Sequence, residues 1–180
     1  MQSRELIFLK PDAIEGKLVG KIIARFEEAG FKIVRMKKNL ISKELALLLY
    51  PDSKEQLTGM GNKTLTAMSQ KGGMEMVTKL FNTTDPFEIG KQLNEWKRKY
   101  ASSTEVIACI LEGEDAANRA RALIGKTDPA IADKGTIRGD FSKDSIYMGN
   151  MERRACRNLV HASDAERAPV EIGYFEKYFF

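Results

Sequence analysis

Apolar positions recur along the chain with two different periods, and the changes from one to the other divide it into strands and helices. Glu5 to Lys10 (ELIFLK) is a short apolar run stopped by Pro11, which predicts a first strand. From Leu18 to Ala29, the residues Val19, Ile22, Ile23 and Phe26 fall on one helical stripe, closed by Gly30 at the C′ position. Phe31, Ile33 and Val34 predict a strand over Phe31–Met36 with one buried face. Ser42 stands where an N-cap belongs for a helix reaching Leu49. Pro86 opens a further helix through Tyr100, with Phe87, Ile89, Leu93 and Trp96 on one side. Glu105 to Leu111 (EVIACIL) is almost continuously apolar, as suits a central strand, and Ala116 to Ile124 is a helix ended by Gly125.

Three stretches carry weaker signals. Pro51 to Asp85 is rich in Gly, Thr, Asn and Lys; its best helical candidate is Met74–Phe81, and it reads as an excursion from the main fold. Lys126 to Gly139 reads as loop, and no period emerges between Phe141 and Arg157. Asn158–His161 is strand-like, with Ser163 and Asp164 as candidate caps for a last helix beginning near Pro169, and the tail is aromatic. This order of elements predicts an α+β sandwich: one domain over residues 1–180 with an inserted segment at about 51–85.

Composition narrows the class without fixing the activity. With 43% hydrophobic and 30% charged residues, the chain is that of an ordinary globular protein. Cys109 and Cys156 are far apart and form no C-x-x-C pair, which argues against a disulfide framework or thiolate metal site and fits a reducing compartment. No apolar run approaches the roughly 20 residues of a membrane span. The segment Met1-Gln2-Ser3-Arg4-Glu5 leads straight into a strand without a signal peptide's layout, so a cytoplasmic protein is expected. A net charge of +4 and a pI of about 9.0 suit an anionic ligand, whether nucleic acid or free nucleotide.

Two apparent phosphate motifs fail on context. Gly125-Lys126-Thr127 resembles the end of a P-loop, but Ala120 stands where the leading glycine belongs, and the triplet follows a helix instead of opening one. Gly59-Met60-Gly61 lacks both the third glycine of a dinucleotide fingerprint and a preceding strand, and reads as turn chemistry.

Four segments remain: Lys10-Pro11-Asp12, Tyr50, the loop from Thr127 to Asp140 ending in GTIRGD, and RNLVHASD from Arg157 to Asp164. Singly, each has a plain structural explanation, since Lys10 and Arg138 suit solvated charges, Tyr50 a packing residue, and His161 a surface or satisfied core histidine. Together, K-P-D at the end of the first strand, GTIRGD and N-x-x-H-x-S-D in this order resemble the nucleoside diphosphate kinases. The resemblance covers Glu5 to about Tyr50 and about Tyr100 to Phe175; the long segment after Tyr50 and the run between Asp140 and Arg157 are similar to the archaeal branch.

The resemblance implies a ferredoxin-like βαββαβ core with an antiparallel sheet and a homo-oligomer, hexameric in most relatives. It implies that His161 is the nucleophile, with Glu171 on its other ring nitrogen and Ser163 supporting that glutamate. Lys10, Tyr50, Arg121, Thr127 and Arg138 would surround the phosphates of the ATP, NTP or NDP, and Asn158 with Lys10 would touch the sugar. Where the family places a phenylalanine over the base, the matching register lands on Leu93, with Trp96 nearby, and the spacing from His161 to Glu171 is one residue shorter than usual.

The residue chemistry agrees. A carboxylate on one imidazole nitrogen leaves the other nitrogen's lone pair free to attack, and phosphoryl transfer depends on positioned cations. No carboxylate cluster dedicated to a metal is apparent, so Mg²⁺ is expected to arrive on the nucleotide phosphates, and contacts to phosphate and sugar predict broad base specificity.

Two other readings compete with this one. A nucleic-acid-binding module would show exposed sheet aromatics among basic residues, whereas Ile107, Ile110 and Leu111 are aliphatic. A structural assembly subunit would pack its aromatic tail on a neighbour.

Overall fold

The structure, a computed structural model, describes residues 2–180. Strands β1 (Gln2–Leu9), β2 (Lys32–Leu40), β3 (Glu105–Glu114) and β4 (Val160–Ala162) form one antiparallel sheet in the order β2-β3-β1-β4. This is the ferredoxin-like arrangement expected, with β3 and β1 central. The helices are α1 (Pro11–Glu15), α2 (Val19–Glu28), α3 (Lys43–Leu49), α4 (Lys54–Gln70), α5 (Met74–Phe81), α6 (Pro86–Ala101), α7 (Ala116–Ile124), α8 (Ile137–Phe141), α9 (Ile146–Met151) and α10 (Ala168–Tyr178). No helix among the described residues is long and apolar enough to cross a membrane.

Alternation along β1 sends Ile7 and Leu9 to one face of the sheet and Leu6 and Phe8 to the other. The first face is covered by Ile22 and Phe26 of α2 and by Ala116, Ala120 and Ile124 of α7. The second is covered by Leu45, Ala46 and Leu49 of α3 and by Phe175 and Phe179 near the C-terminus. Two sequence-predicted caps hold: Ser42 Oγ accepts from the Leu45 amide at 3.1 Å, and Gly30 takes a left-handed φ of 81° just beyond α2. Gly125 likewise ends α7 at φ 90°, with no room for a side chain, since a Cβ there would lie 2.5 Å from Thr136 Oγ1.

The segment from Pro51 to Asp85 is more ordered than its composition suggests. Besides the expected α5 it contains α4, and Met68, Val77, Phe81 and Ile89 make a small core of their own with α6. Gly59, Met60 and Gly61 lie in the middle of α4, which corrects their reading as a turn. The reason is helix packing: a Cβ on Gly61 would sit 1.9 Å from the Pro86 carbonyl oxygen, and one on Gly90 would sit 2.0 Å from that of Leu57. The two glycines let α4 and α6 touch backbone to backbone, and tertiary contact outweighs their poor helix propensity.

Other expectations need correction. β2 is an edge strand, and the buried face predicted for Phe31–Met36 is only partial: Phe31, just before the strand, is in the core and Ile33 packs against it, while Val34 and Met36 are 40% and 55% exposed. The aromatic tail serves its own chain, with Phe175 and Phe179 buried and Phe180 packed against them. Short helices α8 and α9 occupy stretches read as loop or as aperiodic, each capped by a hydroxyl, Thr136 for α8 and Ser145 for α9. Arg167 holds the N-cap position of α10, and Ser163 and Asp164 make other bonds.

Candidate active site

His161 lies on β4 directly across from Phe8 of β1. Its imidazole stacks on the Phe8 ring with centroids 4.6 Å apart and planes 18° from parallel, while Tyr50, at the end of α3, meets it edge-on at 6.0 Å. Nε2 of His161 is 2.9 Å from Glu171 Oε2. The same oxygen accepts from Ser163 Oγ at 2.7 Å, and Oε1 is 3.2 Å from Arg167 Nε. Glu171 sits in the first turn of α10 and is buried. Burial alone would raise its pKa, but the hydrogen bonds from His161 and Ser163 and the charge of Arg167 hold it below the ordinary carboxylate range. An ionised Glu171 accepts from Nε2–H, and this tautomer leaves the lone pair of Nδ1 free.

The cations gather beside this pair in different states of engagement. Lys10, at the junction of β1 and α1, donates to Asn158 Oδ1 at 2.7 Å, and Asn158 Nδ2 donates to the Thr127 carbonyl at 2.8 Å. Burial and neighbouring Arg138 lower the Lys10 ammonium to about 8. Arg138, on α8, is buried and donates to three carbonyls: from Nε to Asn158 at 3.0 Å, from Nη1 to Gly125 at 2.8 Å, and from Nη2 to Val160 at 2.7 Å. Its guanidinium pins the end of α7 to the strand that carries His161, with two N–H groups remaining. Arg121, at the end of α7, is half exposed and pairs with Asp164, and Thr127 is exposed. Burial and the Glu171 charge keep the Tyr50 phenol protonated far above its usual range.

Several residues of this region carry no sequence-level assignment. Asp12 accepts from the Leu159 amide at 3.0 Å and from the Tyr100 hydroxyl at 2.9 Å, so the third residue of K-P-D holds Leu159 in its left-handed turn at φ 67°. Phe8 and Arg167 contact His161 and Glu171 without belonging to any motif; a hydrophobic pattern marks Phe8 only as core.

Glu5 is a further case. It is fully buried on β1, accepts from the Ser163 amide at 2.7 Å through Oε1, and leaves Oε2 unpartnered. Burial raises its pKa from 4.5 to about 8, with the Ser163 bond opposing and the Glu171 charge adding. The folded chain thus keeps a proton that the unfolded chain has lost, so this group makes stability fall as pH rises from 4.5 towards 8. Glu5→Gln removes that slope, and the variant is expected to be more stable than the parent at pH 8 by roughly 2–4 kcal/mol while matching it near pH 4. Chemical denaturation across this pH range checks it; parallel curves for the two proteins contradict it.

A cavity opens beside Lys10, Thr127 and Asn158 and extends between α4, α6 and α9, with Met60, Leu93, Lys97 and Ile146 among its walls. His161, Tyr50 and Glu171 do not line it, and neither does any Asp or Glu. Leu93 is therefore brought to the same space as Lys10 and Asn158. Trp96 is engaged elsewhere, stacked on Phe81 at 5.6 Å.

A histidine–carboxylate pair and a cationic cavity free of carboxylates, on a ferredoxin-like sheet, fit a phosphotransferase. The family described as nucleoside diphosphate kinase matches residues 3–85 and 87–178. A nucleoside diphosphate kinase of Pyrobaculum aerophilum is 43% identical over 96% of this chain and 93% of its own length, and one of Methanocaldococcus jannaschii is 35% identical over 98% and 95%. The crystal structure of an NDP kinase from Pyrobaculum aerophilum superposes with a TM-score of 0.90 at 39% identity, covering 99% of this chain and 98% of that one. The chain belongs to the nucleoside diphosphate kinase family, as an archaeal-type member.

Proposed function

We propose that this chain moves the terminal phosphoryl group of an NTP to an NDP by a ping-pong route through a phosphohistidine at His161 Nδ1. In the first half, the Nδ1 lone pair attacks the γ-phosphorus, the bond to the bridging oxygen breaks, and the NDP leaves with that electron pair. In the second, an oxygen of the acceptor's terminal phosphate attacks the same phosphorus, and the electron pair returns to Nδ1. The observation that carries this reading is the 2.9 Å hydrogen bond between His161 Nε2 and a buried Glu171 held ionised. It stabilises the positive charge the ring acquires when Nδ1 bonds to phosphorus.

Lys10, Arg121, Thr127, Arg138 and Tyr50 surround the phosphates in this reading, where fixed cations neutralise charge in the transition state. Asn158 with Lys10 holds the sugar, and Leu93 faces the base. Mg²⁺ enters on the nucleotide phosphates, as is usual for a cation that keeps most of its water; no group of three or more His, Cys, Asp or Glu is placed to hold a metal among the described residues. Contacts made mainly to phosphate and sugar support broad base specificity.

A cytoplasmic homo-oligomer, hexameric as in most relatives, belongs to the same proposal. Its support is the exposed apolar row Val34, Met36 and Leu40 on the edge strand β2, a surface that a second copy would cover.

The test is incubation with γ-labelled ATP. Label that survives alkali, is lost in acid and is discharged by any added NDP supports the reading. Turnover without a labelled protein overturns the ping-pong route.

A further inference from the structure

The cavity beside Lys10 holds a second lysine that the phosphate chemistry does not use. Lys97 lies on α6 one turn after Leu93, so the two project from one side of the helix. Its Nζ is 2.7 Å from Met60 Sδ on α4, and the cavity around it is walled by apolar Leu93 and Ile146 and by polar Thr64 and Asn150. A thioether is a weak acceptor for an ammonium, and no carboxylate lines the space. Lys63, on the same α4 face as Met60, is exposed at the rim, and Arg154, the other cation in the wall, is occupied by Asp144 and Glu152. Lys97 is thus a half-buried donor whose hydrogen-bond contact is a weak thioether acceptor.

The walls of the cavity indicate what arrives there. Lys10, Thr127 and Asn158 line it together with Met60, Leu93 and Ile146, and His161 does not. A nucleotide whose terminal phosphate reaches His161 past Lys10 therefore places its base between Met60, Leu93 and Ile146. Apolar walls suit a planar heterocycle, and an ammonium set among them favours a base with an acceptor on its edge.

We propose that Lys97 is a specificity-determining residue that donates to the base edge and tilts an otherwise broad site towards guanine over adenine nucleotides. The inference rests on the reading of this cavity as the nucleotide site. Guanine offers O6 and N7 as adjacent acceptors, whereas adenine puts an amino donor where O6 stands, leaving the ammonium facing another donor. Burial, followed by the charges of Lys10, Lys63 and Arg138 with Cys156 opposing, brings Lys97 down to about 7, so an acceptor on the base edge restores its charged form while a donor does not.

Equilibrium titration with GDP, IDP and ADP tests this without turnover. The wild-type protein is expected to bind GDP and IDP about tenfold more tightly than ADP, because hypoxanthine keeps O6 and lacks the 2-amino group. In Lys97→Met, whose side chain suits the apolar walls, the three affinities should fall within about twofold of one another, and Lys97→Arg should restore the preference. Equal affinities in the wild type, or an undiminished preference in Lys97→Met, overturn the assignment while leaving phosphohistidine formation intact. If no nucleotide binds at all, the nucleotide reading of the cavity fails, and this inference fails with it.

Discussion

His161→Asn is expected to lower phosphoryl transfer by roughly 10⁴-fold or more and to abolish the acid-labile label, since removing a nucleophile eliminates the covalent route itself. The substitution suits the site. Asparagine is smaller, can still donate towards Glu171 Oε2, and leaves Ser163 and Arg167 on that carboxylate. Because His161 contacts Phe8 and Tyr50 only at its ring, the fold should survive and nucleotide affinity should change little. Rapid-quench kinetics with equilibrium binding separates these effects. A variant that retains more than a few percent of activity would mean that phosphate passes directly between nucleotides.

The second large effect concerns stability as much as rate. Arg138→Met leaves the carbonyls of Gly125 and Val160 without their donor, while that of Asn158 keeps only the Val160 amide. Unsatisfied buried acceptors cost about 1–3 kcal/mol each, so a loss of about 4 kcal/mol is expected after partial relaxation. For a chain of this size that lowers Tm by roughly 8–16 °C. Arg138→Lys should recover little, because one ammonium cannot span three carbonyls fixed on two elements. Activity should fall in both variants, since Val160 and Asn158 flank the stretch that carries His161. A Tm within about 2 °C of the parent would show that these carbonyls find water instead.

The site was more legible in the sequence than the surface of the fold. K-P-D, GTIRGD and N-x-x-H-x-S-D hold their residues at fixed chain distances, so His161, Asn158, Lys10 and Arg138 could be named together, and the structure brings them to one region. Glu171 follows from the resemblance alone, and the structure places its Oε2 2.9 Å from His161 Nε2. Phe8, Glu5 and Lys97 were not, since an apolar alternation marks Phe8 as core and gives no hint of its partner across the sheet.

The missed elements have physical reasons. In α4, two glycines and several threonines depress local propensity, and the helix exists because α6 lies against it at Gly61 and Gly90. α1, α8 and α9 are too short to show a period. The exposed face of β2 could not be foreseen because alternation tells which residues share a face, not whether anything covers it.

Nitrogen-resolved NMR of the phosphorylated protein most directly tests where the phosphoryl group is carried. With Glu171 holding Nε2–H, the phosphorus should couple to Nδ1 of His161, and the Nε2 proton should remain visible in its bond to the glutamate. Phosphorus coupled to Nε2, or carried by any side chain other than His161, would contradict the account.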